Sequence, residues 1–542
     1  MSCEILDLLR RYLRDCESQK QSHGDCPGQR EQILPTRLVC IGPDRDSIRL
    51  HEPKPCDTGV YVALSHCWGP KGSCLVQTTT ETLDQNKAGI RWDSLSDVYK
   101  DSIQLCQMFE VDYLWIDSLC IIQDNKDDWE AESSKMAGYY SQATFTIAVE
   151  SSPDGNFSFL TNRQKRWQSQ TYSVKDRQGI HRHYSVQEHC NLQYVDTGIL
   201  GKYFKEGKKL LTNRAWAFQE HLLSRRLIRF TPSGIIWQCK AGVFLGEELL
   251  NGLIRPPSLI PDTYYHKMPS LQAKKLNKQQ EPTFREWAAY LAAYSRRDIT
   301  YESDWLPALS GIAAKHQAKL QGPYLAGIWA DHLPYSLCWE RRRGAATFYA
   351  NPENNIPSWS WASLHTTEVH YPYLTYDSWQ PLLETHQPRI LEIFCDMSNK
   401  APFGRVIKGA FILIEAPLFK ATISKDGIDY DEFEIRFSDR SQVRVTRLVF
   451  IKDCMLDISG DYASRAINSY HTKHTSTTLG DRVQQSIAWV VWLARIDRRT
   501  FGLVLGKDPQ STSFQRLGTV IANDMPSASF NTDGTWTRFK FN

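Results

Sequence analysis

Apolar and polar positions change their period along the chain. Between about 56 and 240, short apolar runs of strand length alternate with segments of helical spacing. YVALSHCWG, residues 61–69, reads as a strand that ends in a Gly-Pro turn at Gly69-Pro70. DSIQLCQMF (101–109) has helical spacing, and YLWIDSLCII (113–122) is a near-continuous apolar run. DDWEAESSKMAGYYSQA (127–143) reads as a helix and TFTIAVE (144–150) as another strand. A helix in NRAWAFQEHLLSRR (213–226) and a strand in LIRFTPSGIIWQC (227–239) follow. Runs that are apolar on both faces fit buried parallel strands, and strand–helix alternation implies βαβ units. Ala63, Leu64, Trp115, Ile116, Ile147 and Ile235 are therefore expected to line the core of one mostly parallel sheet.

The flanks follow other patterns. MSCEILDLLRRYLRDCESQ at the start is an amphipathic helix, and a polar loop and a short strand, TRLVCI (36–41), come after it. Residues 151–210 are polar and read as an irregular insertion. Residues 251–283 are rich in Pro, Lys and Gln, as in a linker or long loop. Thr283 and Glu286 make a capping box that opens a helix with Trp287, Tyr290, Leu291 and Tyr294 on one face. Beyond about 380 the period becomes two: AFILIEAPL, WVVWLARI, TFGLVLGK and FQRLGTVIA are strands between turn residues. The expected fold is α/β, a mostly parallel sheet flanked by helices, then a helical region and a C-terminal antiparallel β-rich unit. The expected divisions are 1–55, 56–240, 241–380 and 381–542.

Composition narrows the function classes. Of 542 residues, 41% are hydrophobic and 23% charged, with 17 Trp, which favours aromatic-rich packed cores. Net charge is +3 and the densest basic run is Arg341–Arg343, so nucleic acid is not an expected partner. No stretch approaches 18 uninterrupted apolar residues, so no membrane span is expected. The start lacks the apolar core of a signal peptide, and the 14 Cys are scattered. Reduced thiols and a cytoplasmic location are expected. No C-x-x-C pair occurs, so no metal is expected. The histidines of HRH (181–183) and HTKH (471–474) read as solvated loop residues. Neither G-x-x-x-x-G-K-[ST] nor G-x-G-x-x-G is found, which disfavours a P-loop NTPase or an ordinary Rossmann dehydrogenase.

Candidate chemistry gathers at strand ends and on two helices. On a strand, Ser65 and Cys67 share one face while His66 and Trp68 share the other. His66 and Cys67 therefore cannot form a direct thiolate–imidazole pair, and Cys67 reads as a small buried hydrophobe. His66, Trp68 and Asp117 stand at the carboxyl ends of parallel strands, where α/β sheets place their ligand crevice. Trp129, Glu132, Met136 and Tyr139/Tyr140 follow i, i+3, i+7 and i+10/11, which puts Glu132 on an apolar stripe. Trp216, Glu220 and Leu223 follow i, i+4 and i+7, which does the same for Glu220. A desolvated carboxylate has a raised pKa unless an Arg or backbone donors stabilise it. Arg214, Arg225 and Arg226 are the nearby candidates. A structural Arg–Glu pair that fixes helix docking is the alternative to catalysis.

YVALSHCWG, the stretch from YLWIDSLC to TIAVESS, and NRAWAFQEHLLSRRLIRFT resemble the three signature blocks of the HET domain, the heterokaryon-incompatibility domain of filamentous fungi. YSRRDITYESDWLPALSGIA, YLAGIWADHL and PSWSWAS resemble the region often attached to it. The resemblance implies non-self recognition at cell fusion and a cell-death response, with a protein partner in incompatibility signalling. The family is also remotely similar to TIR domains, some of which cleave NAD. There a Glu follows a W-C-x-x-E pattern; here Trp216 to Glu220 keep the spacing, with Ala217 in place of the Cys. Carried over, Glu220 is the catalytic carboxylate, with Glu132 and His66 as further catalytic candidates. Ser65, Trp68, Asp117, Arg214, Trp216 and Gln219 would line the pocket, Trp68 stacking and Arg214 pairing with phosphate. NAD enters as a substrate; no cofactor is assigned. The alternatives are an enzyme acting on another small molecule or nucleotide, as in secondary metabolism, and a non-catalytic interaction module.

Overall fold

Four short strands with buried side chains build the centre of the first unit: β3 (Val62–Ser65), β4 (Tyr113–Trp115), β5 (Thr146–Val149) and β6 (Arg226–Thr231). They follow β1 (Leu38–Cys40) and β2 (Arg49–His51) and precede β7 (Gly234–Cys239) and β8 (Gly242–Leu245). The computed structural model describes residues 1, 3–19, 23–28, 31–69, 76–160, 170–175, 180–186, 211–232, 234–245, 280–341, 355–364, 369–371, 379–380, 387–399, 401–425, 433–437, 447–452, 456–457, 464–465, 485–496, 499–507, 513–523 and 536–542. The chain divides into two units, 1–262 and 263–542.

The sheet of the first unit runs β8-β7-β6-β5-β3-β4-β1-β2. The expectation of a mostly parallel sheet holds at its centre alone. β6, β5, β3 and β4 pair in parallel, whereas β4–β1, β1–β2, β6–β7 and β7–β8 are antiparallel, so the sheet is mixed. Connection length explains the difference. A parallel return needs a crossover of a dozen or more residues. The chain supplies these as α2 (Asp97–Met108) between β3 and β4, α4 (Lys126–Gln142) between β4 and β5, and α5 (Ala215–Leu223) before β6. LIRFTPSGIIWQC, read as one strand, folds instead as the β6–β7 hairpin about Thr231-Pro-Ser-Gly.

Other local expectations also shift. The 113–122 run is a strand only to Trp115; the Ile116 carbonyl then accepts the N–H groups of Leu119 and Cys120, at 3.1 and 2.7 Å, and the chain turns into the short helix α3 (Asp117–Cys120). Ala63, Leu64, Trp115, Ile116 and Ile147 are fully buried, while Ile235, on the antiparallel wing, is half-exposed. Within 151–210, residues 170–175 and 181–186 form an antiparallel hairpin, which places exposed His181 and His183 on a strand and not in a loop. His471–His474 lie outside the described residues. The N-terminal helix α1 (Cys3–Glu17) lays Tyr12 against Trp237, centroids 6.0 Å apart, and against Phe244 at 4.9 Å. No helix among the described residues is long and apolar enough to cross a membrane.

The second unit carries an antiparallel sheet whose longest strands are residues 389–398, 401–417, 485–496, 499–507 and 514–523; residues 514 and 541 pair in parallel. Its helix α6 (Gln280–Tyr294) starts before Thr283, so Thr283 is not its cap. Glu286 instead accepts the Tyr290 hydroxyl at 2.8 Å and pairs with Lys319. Trp287, Leu291 and Tyr294 are buried and Tyr290 half-buried. The indoles of Trp287 and Trp361 both donate to the Gly327 carbonyl, at 3.0 and 2.8 Å.

Gly327 has φ +101°, and a Cβ there would lie 2.4 Å from Trp361 Nε1. Gly327→Ala therefore combines left-handed strain with overpacking and is expected to destabilise the second unit by about 2–4 kcal/mol. Urea unfolding followed by tryptophan fluorescence measures it; a loss under about 0.5 kcal/mol would contradict this packing.

Candidate functional site

In chain order the central parallel strands are β3, β4, β5 and β6, but in space they lie β4-β3-β5-β6. The winding direction reverses at β3. In open α/β sheets a crevice forms at such a switch point, outside the carboxyl ends of the strands. Ser65 ends β3, and residues 65–68 carry the chain over that edge.

Ser65 turns toward α5. Its hydroxyl donates to Glu220 Oε2 and lies 3.2 Å from His221 Nε2. Tyr140 of α4 donates to the Leu64 carbonyl at 3.0 Å, and its hydroxyl acts on the Glu220 carboxyl. Glu220 is buried, and among the described residues no Lys or Arg forms an ion pair with it. Arg214, the residue before α5, spends Nη1 on the His66 carbonyl at 2.7 Å. Burial pushes the Glu220 carboxyl up to about 7 from an ordinary 4.5. The Ser65 hydrogen bond, the Arg214 charge and the Tyr140 hydroxyl oppose that rise, and the Asp117 charge adds to it.

His66 turns the other way. Its Nε2 lies 3.2 Å from the Tyr99 hydroxyl, which is 2.5 Å from Ser118 Oγ. Its Nδ1 lies 3.9 Å from Asp117 Oδ1, and Trp68 Nε1 donates to Asp117 Oδ2 at 2.8 Å. Burial lowers the His66 pKa to about 4, against the pull of Asp117, so the ring is neutral near pH 7. Cys67 packs with Ala148, Leu211, Ala217 and Leu227, and burial pushes its thiol up to about 11. It is therefore a protonated thiol at neutral pH and a poor nucleophile. The Asp117 side chain is 20% exposed, and Trp68, Arg214 and His221 are half-buried. These four form the wetter rim above buried His66 and Glu220.

The structure thus brings Ser65, His66, Trp68, Asp117, Arg214 and Glu220 to one sheet edge. Gln219 is buried beside Glu220 on α5, and Trp216 meets Trp129 of α4 edge to face at 6.1 Å. Glu132 is placed elsewhere: it accepts the Tyr139 hydroxyl at 2.7 Å and Lys135 Nζ at 2.9 Å, and shares no hydrogen-bond partner with Glu220. Nothing in the sequence marks His221, Tyr99 or Tyr140 as members of the site. The β-strand and helix periods place each on its own element, but nothing in them says which neighbour each will meet.

His66 and Glu220 shift in opposite senses, and the signs decide their effect on stability. His66 has a folded pKa below its unfolded 6.5, so its contribution is present above pH 6.5 and is lost as pH falls to about 4. Glu220 has a folded pKa above 4.5, so its contribution is present below pH 4.5 and is lost as pH rises through about 7. Each amounts to roughly 3 kcal/mol, and over the shared window they oppose one another. Relative to wild type, His66→Gln is expected to gain stability on acidification from pH 7 to 4.5, and Glu220→Gln to lose it. Urea unfolding at several pH values checks this; parallel profiles for both variants would refute the assignments.

Residues 61–220, which span this edge from β3 to Glu220, match the family model described as "Heterokaryon incompatibility protein (HET)". No curated protein and no solved structure matches the chain. The chain carries a heterokaryon incompatibility domain over residues 61–220.

Proposed function

We propose that this domain acts in an incompatibility response by cleaving the N-glycosidic bond of a nicotinamide dinucleotide, with Glu220 as the catalytic carboxylate. One observation carries the reading: a buried carboxylate with no basic ion-pair partner among the described residues, at the carboxyl edge of a switch-point strand. Structural carboxylates at such depth are ordinarily paired. An unpaired one is costly in the resting state and is relieved when positive charge develops beside it. As the C–N bond breaks, its electron pair leaves with neutral nicotinamide and the ribose takes on oxocarbenium character. The Glu220 carboxylate stabilises that charge and takes the proton of the water that adds to the anomeric carbon. Ser65 holds the carboxylate through a hydrogen bond, and the Tyr140 hydroxyl, bound to the Leu64 carbonyl, favours its charged form. Neutral His66, Trp68 and Asp117 shape the wall, Trp68 offering a stacking face. Glu132 bonds within α4 to Lys135 and Tyr139, which in turn reach Thr36, and so has a structural role. The resemblance of the W-x-x-x-E spacing to TIR domains supports the same choice of Glu220.

Purified protein incubated with NAD is expected to release nicotinamide, at a rate that rises with pH through about 7 as Glu220 ionises. Glu220→Gln should lower that rate by about 10²–10³ without lowering Tm at pH 8, because no guanidinium loses its partner. Cys67→Ser should leave the rate unchanged and His66→Ala should reduce it. A folded Glu220→Gln protein that keeps the wild-type rate would defeat the catalytic assignment. Turnover of another nucleotide in a substrate panel, with NAD untouched, would move the reading to a different small molecule. No turnover at all would favour the interaction module.

A further inference from the structure

Four soft donor atoms meet at one edge of the first unit, outside the residues that match the family. Cys16 lies in the last turn of α1, His23 and Cys26 follow it, and Cys239 ends β7. His23 Nδ1 lies 3.2 Å from Cys16 Sγ, 3.6 Å from Cys26 Sγ and 3.6 Å from Cys239 Sγ. All four atoms lie within 4.8 Å of one another. A tetrahedral zinc ion, with Zn–S of 2.3 Å and Zn–N near 2.0 Å, needs N···S edges of about 3.6 Å and S···S edges of about 3.8 Å. The three N···S distances stand near that edge, and the sulfurs lie within 4.8 Å of one another.

Their surroundings suit a bound cation better than a disulfide. Cys16, His23 and Cys26 are at most 4% exposed, and all three cysteines are free thiols. A disulfide would use two sulfurs and leave the third sulfur and the imidazole without a role. The Cys26 N–H bonds to the His23 carbonyl at 2.9 Å, which closes His23 and Cys26 into one turn. The Ala241 backbone N–H acts on both Cys26 and Cys239 in the sense that favours thiolates. Buried Arg226 stands close enough to act electrostatically on Cys16, and its charge offsets the excess negative charge that three thiolates leave on a divalent ion.

We propose that Cys16, His23, Cys26 and Cys239 form a structural zinc site that ties α1 and the turn after it to the sheet edge at β7. A closed set of three sulfurs and one nitrogen leaves no open position for catalysis. Iron–sulfur clusters ordinarily take four thiolates, and the set has no carboxylate to suit magnesium or calcium. The sequence shows half of this site as C-x₆-H-x₂-C, residues 16–26. Its fourth ligand lies on the far side of the domain in sequence and reaches the others only through the fold.

The full chain, purified without chelator, is expected to carry about one zinc per molecule by elemental analysis. Cys16→Ser and Cys239→Ser should lose it, while Cys3→Ser and Cys56→Ser, at exposed cysteines, should keep it. Chelation should lower Tm by roughly 10 °C, and added zinc should restore it. Cobalt titrated into the chelated full chain should give the visible bands of a tetrahedral thiolate complex, a readout that does not depend on any variant folding. The proposal is overturned by a zinc-free chain without cobalt bands, by zinc content unchanged in Cys16→Ser and Cys239→Ser, by an iron–sulfur chromophore, or by a disulfide among these cysteines in non-reducing peptide mapping.

Discussion

A strand of four residues, Val62–Ser65, governs the first unit. Both of its edges are taken by parallel partners and all four side chains are buried. Such a strand has no exposed edge through which to shed polar groups, so its polar chemistry is forced to its carboxyl end. Ser65, His66 and Trp68 leave the sheet there in alternating directions. One direction meets α5 and Glu220, the other meets α2, α3 and Asp117. The crossover helices must cover both faces of the centre, and in doing so they seal the first residues past the strand from water. The perturbed groups of the site are a consequence of that sealing.

Two titratable groups bear the cost of burial in opposite ways. His66 gives up its charge, because neutral imidazole is cheaper to bury and Tyr99 supplies a partner. Glu220 has a hydroxyl partner in Ser65, whose hydrogen bond does not make up for lost water. Asp117, closer to solvent, acts on both: its charge opposes the shift of His66 and adds to that of Glu220. Residues that stabilise a fold are seldom arranged to leave a carboxylate in this state. Glu150 of the chain after β5 and Arg229 of β6, equally buried, show the ordinary solution, an ion pair at 2.7 Å.

The second unit solves the same polar problem with aromatics. Trp287 and Trp361 share one glycine carbonyl, and Trp339 donates to the Trp359 carbonyl at 2.9 Å. Fully buried Arg516 stacks on Trp339, its guanidinium 3.4 Å from the ring centroid, and gives its protons to the carbonyls of Leu337 and Trp339. For Trp287, Trp339 and Trp361 a carbonyl replaces the water that the indole N–H loses on burial.

The sequence by itself determined the central strands and crossover helices of the first unit and the long strands of the second, that Glu220 sits on an apolar stripe, and that His66 and Trp68 diverge from Ser65 and Cys67. These follow from local periods of 2 and 3.6, which are written in the order of residues. It also carried the family resemblance, because the three signature blocks are contiguous runs. The tertiary structure alone decided that β6 and β7 form a hairpin, that Ser65 meets Glu220, that no described arginine forms an ion pair with Glu220, and that Cys239 returns to Cys16, His23 and Cys26. Each depends on which elements become neighbours. That choice is made by how the whole set of apolar faces is buried together, and a single segment's pattern holds no record of it.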